Sequence, residues 1–106
     1  MEAQRLSDLL SRRAASGQRY LEFLKAPTLS VGVYHLRAGE PDPQGPHTRD
    51  EVYYVLSGRA SICVGDEVQP VEAGGVVYVA AGVEHRFVDI TEDLDVLVFF
   101  AGAQER

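Results

Sequence analysis

The sequence predicts an all-β sandwich or barrel that follows one short helix. After residue 17, short segments rich in β-branched and aromatic residues recur at near-regular spacing. The segments between them carry glycine, proline and aspartate, which favour turns. No helical pattern separates the later segments, so antiparallel hairpins are the expected connections at these loop lengths.

The first 17 residues predict the helix. Apolar residues recur there at three- and four-residue steps, the spacing of one helix face: Leu6, Leu9, Leu10 and Ala14. Gly17 is a typical residue just beyond a helix, so we expect the helix to end there. A chain of 106 residues leaves no room for a second core. We therefore expect a single domain over residues 1–106, with the helix at 1–17 and the barrel at 18–102.

Eight strands are expected in the barrel, at residues 20–24, 29–36, 51–56, 60–64, 68–71, 76–79, 85–90 and 94–100. Gly58 is expected to end the third strand. The acidic residues Asp89, Glu92, Asp93 and Asp95 are expected to form a turn. They lack the regular alternation of oxygen ligands that a calcium-binding loop requires.

Composition restricts the classes of partner. Charged residues make up 25% of the chain and the net charge is −6, which argues against nucleic acid because phosphate binding calls for a surplus of Lys and Arg. The sequence has no apolar run long enough to span a bilayer and no secretory leader pattern, so a cytoplasmic protein is expected. The single cysteine, Cys63, is expected to serve as a small apolar residue of a strand.

The chain has three histidines, and two of them follow turns. His35 lies in the middle of a predicted strand, where a structural role is the better interpretation. His47 follows a proline and precedes Glu51 by four residues, and His85 begins a strand after a glycine turn. Two histidines and one carboxylate form the ligand set that non-haem iron oxygenases use. The alternative is that His47 and His85 are exposed loop residues and Glu51 is a solvated strand end.

The spacing of His47 and Glu51 makes a geometric demand. On one straight strand, four steps of roughly 3.3 Å would separate them by about 13 Å. Bonds of about 2.1 Å to a common metal therefore require a bend or bulge within residues 48–50. The polar composition of that segment allows such a bend.

Other side chains are candidates for contact with a ligand. By strand parity, Tyr53 and Val55 share the face of Glu51, and Phe87 shares the face of His85, so these residues would line the cavity. Tyr53 would place a hydroxyl near a substrate; the alternative is a buried tyrosine that only satisfies its own hydroxyl. Three arginines would either orient an anionic substrate or remain solvated: Arg37, Arg49 and Arg86.

Two spaced patterns carry a resemblance to a known family. The first runs through Gly39, Gly45, His47, Glu51 and Gly58, and the second through Gly74, Ala80, Gly82, His85 and Asp89. They resemble the two motifs of the cupin superfamily, G-x5-H-x-H-x3-E-x6-G and G-x5-P-x-G-x2-H-x3-N, and the chain is similar to its small single-domain members. Three positions depart from the motifs: Gly45 replaces the first histidine, Ala80 the proline and Asp89 the asparagine.

The resemblance implies a double-stranded β-helix, or jelly-roll barrel, with the motif residues at its mouth. It also implies metal ligands at His47, Glu51 and His85, whereas Gly45 has no side chain to offer. The expected cofactor is a divalent transition metal, with iron, manganese, nickel and zinc all open.

Two functions follow from this resemblance. The first is a metal-dependent enzyme of dioxygenase or isomerase type, acting on a small oxygen-rich metabolite with Tyr53 as a candidate proton donor. The second is a non-catalytic module that binds or senses a small molecule and keeps a vestigial metal site. A homodimer is expected in either case, with sheet edges at Leu21, Phe23 and Leu24 and at residues 96–100. No nucleic-acid or membrane partner is expected.

Overall fold

One helix precedes six antiparallel strands in the computed structural model, which describes residues 1–102. The elements are α1 (Leu6–Ser16), β1 (Tyr20–Ala26), β2 (Leu29–Leu36), β3 (Glu51–Val64), β4 (Glu67–Glu72), β5 (Val76–Val79) and β6 (His85–Ala101). The sheet order is β1-β2-β6-β3-β4, and β5 pairs with β3. The predicted all-β fold with a short N-terminal helix is confirmed.

Helix α1 is shorter than predicted at its start. Arg5 is the N-cap residue, so the first five residues lie outside the helix that was expected over residues 1–17. No apolar periodicity supports an earlier start. At the other end, Gly17 adopts a φ of 73° and its N–H donates to the carbonyl of Ala14. The predicted glycine end of the helix is therefore confirmed.

The prediction of eight strands is wrong, because β3 and β6 each run through a segment that was expected to be a turn. Gly58 does not end a strand. Its φ is 98°, and a Cβ at this position would overlap the backbone carbonyl of Asp93. The β3–β6 register shifts between Val55 and Ser61, which marks bulges. The turn-forming residues here bend a continuous strand instead of ending it.

The predicted acidic turn is also wrong, since Asp89, Glu92, Asp93 and Asp95 all lie within β6. Asp89 has a φ of 50°, the only positive φ among the non-glycine residues that the structure describes. Aspartate and asparagine tolerate this conformation better than most residues. The replacement of the motif asparagine by Asp89 therefore keeps a residue that suits the local backbone.

The β3–β6 pair rolls up on itself. In its register, Glu51 lies opposite Phe100 at one end and Val64 lies opposite His85 at the other. The 13 steps from Glu51 to Val64 would span about 43 Å on a flat ribbon. Glu51 Oε1 and His85 Nε2 nevertheless lie 2.8 Å apart. The curvature of this ribbon closes the barrel and brings its two ends together.

The core fills the inside of this roll, and β6 crosses it between β2 and β3. Val96, Val98 and Phe100 are buried there. The expectation that residues 96–100 form an edge is therefore wrong, whereas β1 does lie at an edge of the sheet. Dimerisation stays a prediction. Within residues 1–102, no helix has the length and apolarity needed to cross a bilayer.

Candidate metal centre

His47 and Glu51 meet across a bend. The chain bends at Thr48 and Arg49, and β3 begins only at Glu51. His47 Nε2 lies 3.9 Å from Glu51 Oε1, far closer than a straight strand would allow. The bend that a shared metal requires is therefore present where the sequence analysis placed it.

His85 reaches the same place from the first position of β6. The N–H of Gly82 donates to the carbonyl of His47 over 2.7 Å, which ties the two motif loops together. His85 Nδ1 lies 2.8 Å from the carbonyl of Val83. Because a carbonyl only accepts hydrogen bonds, Nδ1 carries a proton, and in the neutral ring Nε2 presents its lone pair. This is the tautomer that a metal ligand needs.

The three side chains converge on one point. One ligand atom from each of His47, Glu51 and His85 lies within 4.8 Å of the other two. Metal bonds of about 2.1 Å place neighbouring ligand atoms about 3.0 Å apart at right angles and opposite ones about 4.2 Å apart. The measured separations of 2.8 Å and 3.9 Å are close to these values. The cluster is compatible with a metal ion.

Glu51 is the most informative member of the cluster. Its residue surface is 2% exposed, and neither carboxylate oxygen has a hydrogen-bond partner within residues 1–102. His85 Nε2 approaches Oε1 to 2.8 Å. With a neutral ring this contact opposes two lone pairs, so it is favourable only when a proton or another cation lies between them. A bound metal would supply that cation.

These surroundings shift the pKa values of the two histidines in opposite directions. Burial lowers the pKa of His47 below its ordinary value, and the nearby carboxylate of Glu51 opposes this only in part. Burial also lowers the pKa of His85, but Glu51 and the Val83 carbonyl outweigh it and raise the pKa above its ordinary value. Without a metal, a proton on His85 takes the place of the missing cation.

Sequence reasoning missed Gln44, which extends into the cluster beside Gly45. Its Oε1 lies 3.1 Å from His85 Nε2 and accepts a hydrogen bond of 2.8 Å from the Tyr53 hydroxyl. Gln44 lies outside the motif spacing, so the resemblance could not identify it. The one available signal was a polar side chain next to the glycine that replaces a ligand.

Asp42 was also missed, because a Pro-Asp-Pro segment reads as an exposed turn. It is 5% exposed and fully satisfied. The carboxylate accepts hydrogen bonds from the Tyr34 hydroxyl, the Phe87 N–H and both the backbone and side-chain amides of Gln44. Asp42 thus holds the loop before His47 against the core and fixes Gln44.

A cavity of about 320 Å³ borders the cluster, and both His47 and Glu51 line it. Arg49 is the only one of the three candidate arginines in its lining, where its guanidinium lies 4.7 Å from the centre of the Phe100 ring. Arg37 and Arg86 lie elsewhere. Other lining residues include Tyr20, Glu22, Tyr34 and Tyr53.

Strand parity predicted that Tyr53, Val55 and Phe87 line the cavity. All three side chains face inward, but only one of them lies in the cavity lining. Tyr53 lines the cavity as expected. Val55 and Phe87 also face inward, but they belong to the packed core and not to the cavity lining. The barrel interior is filled by apolar side chains below the mouth, so inward direction alone does not place a residue against a ligand.

His35 takes no part in the cluster. Its Nδ1 lies 2.8 Å from Asp95 Oδ1 on the neighbouring strand, with both side chains partly exposed. This contact fits the structural role expected for His35.

The fold and the cluster together define a rolled antiparallel barrel that gathers two histidines and one glutamate at its mouth. The family model "Cupin domain" matches residues 32–101. The chain belongs to the cupin family. Its resemblance to the small single-domain cupins and its double-stranded β-helix fold are confirmed by these matches.

Several individual proteins are similar to this chain. The uncharacterized protein SCO3923 of Streptomyces coelicolor is 54% identical over 101 residues, which cover 95% of this chain and 96% of that protein. An RmlC-like cupin of Methanocaldococcus jannaschii has a TM-score of 0.72 at 17% identity, with 79% of each chain covered. KdgF of a Halomonas species has a TM-score of 0.71 at 18% identity, covering 81% of this chain and 79% of that one.

The DMSP lyase DddQ of Ruegeria pomeroyi has a TM-score of 0.73 at 22% identity. The match covers 88% of this chain and 52% of the lyase, so this chain corresponds to about half of that protein. At these identities, the likeness to the three solved structures establishes the fold alone.

Proposed function

We propose that this cupin binds a divalent transition metal through His47, Glu51 and His85 and uses it to hold a small oxygen-rich molecule. One observation carries the proposal: the buried carboxylate of Glu51 has no hydrogen-bond partner within residues 1–102, while two imidazoles face it. Such a charge is costly unless a cation compensates it. Iron, manganese, nickel and zinc all accept this ligand set.

The adjoining cavity supports a small anionic ligand. Its volume of about 320 Å³ suits a small molecule, and His47 and Glu51 would bring the metal to its wall. Arg49 adds a guanidinium to the same wall and has no ion pair within residues 1–102. A carboxylate or other oxygen-rich group would therefore meet both the metal and a fixed positive charge.

The proposed reaction is of dioxygenase or isomerase type. When bound, the metal would supply Lewis-acid chemistry to the oxygen atoms of the ligand. The chain's own residues would hold the metal, exclude water through the apolar wall around Phe100, and orient the ligand through Arg49. To act as the proton donor, Tyr53 would have to give up the hydrogen bond that its hydroxyl donates to Gln44.

A non-catalytic binding or sensing role is the second candidate, and one observation favours it. The hydroxyl protons of Tyr34 and Tyr53 are already donated inside the protein, to Asp42 and Gln44. Burial raises the pKa of both hydroxyls. Neither Tyr34 nor Tyr53 therefore has a free proton for a substrate, as an acid catalyst would need. Among the tyrosines of the lining, only the Tyr20 hydroxyl has no hydrogen-bond partner within residues 1–102.

Metal analysis of protein purified without a histidine tag tests the proposal. We expect close to one metal per chain, lost in His47→Ala and Glu51→Ala and kept in His35→Ala, the matched histidine control. Stoichiometric metal together with turnover of a small oxygen-rich acid favours the enzyme. A cavity filled by an intact metabolite in metal-free protein favours the binder and contradicts the metal proposal.

A further inference from the structure

We propose that Gln44 is a fourth protein ligand of this metal centre and that its amide oxygen replaces the histidine absent at Gly45. The inference depends on the proposed metal-binding function and concerns a residue outside the family's ligand positions. The observation behind it is the position of Gln44 Oε1, which shares His85 Nε2 as a close neighbour with Glu51 Oε1.

The distances fit a common ion. Gln44 Oε1 lies 3.1 Å from His85 Nε2, and Glu51 Oε1 lies 2.8 Å from the same nitrogen. Two ligand atoms at right angles around one metal lie about 3.0 Å apart for bonds of about 2.1 Å. Gln44 Oε1 is therefore as well placed relative to His85 as the glutamate ligand is.

The chemistry of the contact also points to a cation. His85 Nδ1 donates to Val83, so the neutral ring offers only a lone pair at Nε2. Gln44 Oε1 is likewise an acceptor. With the ring neutral, three electron-rich atoms from Gln44, Glu51 and His85 meet, so either a proton on His85 Nε2 or a metal ion must lie between them. A metal ion would satisfy all three atoms together.

The orientation of the Gln44 amide is fixed by two partners. Its Nε2 donates to Asp42 Oδ2, and its Oε1 accepts from the Tyr53 hydroxyl. Rotating the amide by half a turn would set its oxygen against the Asp42 carboxylate, which is repulsive. The oxygen therefore faces the cluster, and it is held there before any ion arrives.

The absence of a side chain at position 45 is consistent with Gln44 taking the place of the motif histidine. Gly45 is exposed, and a Cβ there would meet nothing within 4 Å. A Cβ is therefore sterically allowed at position 45. The preceding residue supplies a donor atom instead, and this keeps four protein ligands at the centre.

A neutral amide oxygen changes what the centre can bind. It is a harder ligand than imidazole, so it favours manganese or iron(II) over softer ions more than a third histidine would. If the bound metal were octahedral, four protein ligands would leave two positions for oxygen atoms of a small molecule.

The test compares Gln44→Leu with Gln69→Leu, an exposed glutamine on β4 that serves as the matched control. Protein stripped with a chelator is titrated with Co(II), and affinity and the visible absorption of the bound ion are recorded. We expect Gln44→Leu to lose more than about tenfold in affinity, since even partners outside the coordination sphere cost 10- to 100-fold. We also expect an altered Co(II) spectrum. The control should match the wild type in both.

Each outcome has one meaning. Wild-type affinity with an unchanged spectrum in Gln44→Leu overturns the Gln44 assignment and leaves the three-ligand centre intact. Weaker binding with an unchanged spectrum also overturns it, because Gln44 would then act from outside the coordination sphere. Failure of the wild type to bind Co(II) overturns the proposed function itself. If Gln44→Leu does not fold, Gln44→Glu decides: tighter binding supports the ligand role, and unchanged binding refutes it.

Discussion

Two buried carboxylates lie a short distance apart along the chain, and their surroundings differ completely. Asp42 is 5% exposed and accepts four hydrogen bonds, from Tyr34, Phe87 and Gln44. Glu51 is 2% exposed and accepts none from residues 1–102. Burial alone therefore does not distinguish a structural acid from a functional one.

The difference lies in what each carboxylate faces. Asp42 faces hydrogen-bond donors, so its charge is compensated within the fold. Glu51 faces two imidazoles whose neutral forms can offer lone pairs. The Asp42 region stabilises the loop that carries His47, and the Glu51 region remains incomplete without a cation. Gln44 links the two, with its amide nitrogen on Asp42 and its oxygen beside His85.

Removing the satisfied carboxylate should have the largest effect on stability. In Asp42→Ala, the Tyr34 hydroxyl and the Phe87 N–H lose their partner, and each buried donor costs about 1–3 kcal/mol. We expect the free energy of unfolding to fall by about 2–6 kcal/mol in urea titrations. Asp66→Ala, at an exposed position, is the control and should be nearly neutral. An unchanged unfolding midpoint for Asp42→Ala would show that Asp42 does not anchor the loop.

Neutralising the unsatisfied carboxylate should act in the opposite direction. Without metal, and at a pH high enough that His85 is neutral, Glu51→Gln removes an unpaired buried charge and should raise the free energy of unfolding by about 1–2 kcal/mol. With metal at 100 times its Kd, the wild type should gain about 2.7 kcal/mol, and the variant should gain almost nothing. Thermal unfolding with and without Zn(II) measures both effects. A destabilised, still metal-responsive variant would place Glu51 in the same class as Asp42.

Much of the fold could be predicted from local sequence. The strand segments, the glycine end of α1 and the spacing of the two motifs all depend on residues close together in the chain. The continuation of β3 through Gly58 and of β6 through Asp89 does not depend on residues close together in the chain. Gly58 and Asp89 carry turn chemistry, and only the long-range pairing of β3 with β6 converts these positions into bulges.

Local sequence also predicts only part of the candidate metal centre. The motif spacing identified His47, Glu51 and His85, and the structure brings them together, although their role as ligands stays a prediction. Gln44 and Asp42 could not be found in this way. Their positions depend on hydrogen bonds to Tyr53 and Phe87, which lie in distant strands. Supporting contacts of this kind follow from the rolled sheet and not from local pattern.

The smallest effect is expected from substitution of the third histidine, His35. This substitution also serves as a control for the comparison of Asp42 with Glu51. His35 contacts Asp95 at 2.8 Å, but both side chains are more than 20% exposed, at 21% and 24%. Water screens such a pair, which is worth about 0.2–1 kcal/mol. Asp95 also keeps a contact with the Ser57 hydroxyl when the imidazole is removed. We therefore expect His35→Ala to lower the free energy of unfolding by no more than about 1 kcal/mol.

His35→Ala should also leave metal affinity unchanged, because His35 lies outside the cluster of His47, Glu51 and His85. Calorimetric titration of the stripped variant with Zn(II) measures this directly. Reduced affinity in His35→Ala would mean that metal binding depends on histidine content or on overall stability. The contrast between a satisfied Asp42 and an unsatisfied Glu51 would then no longer explain where the ion binds.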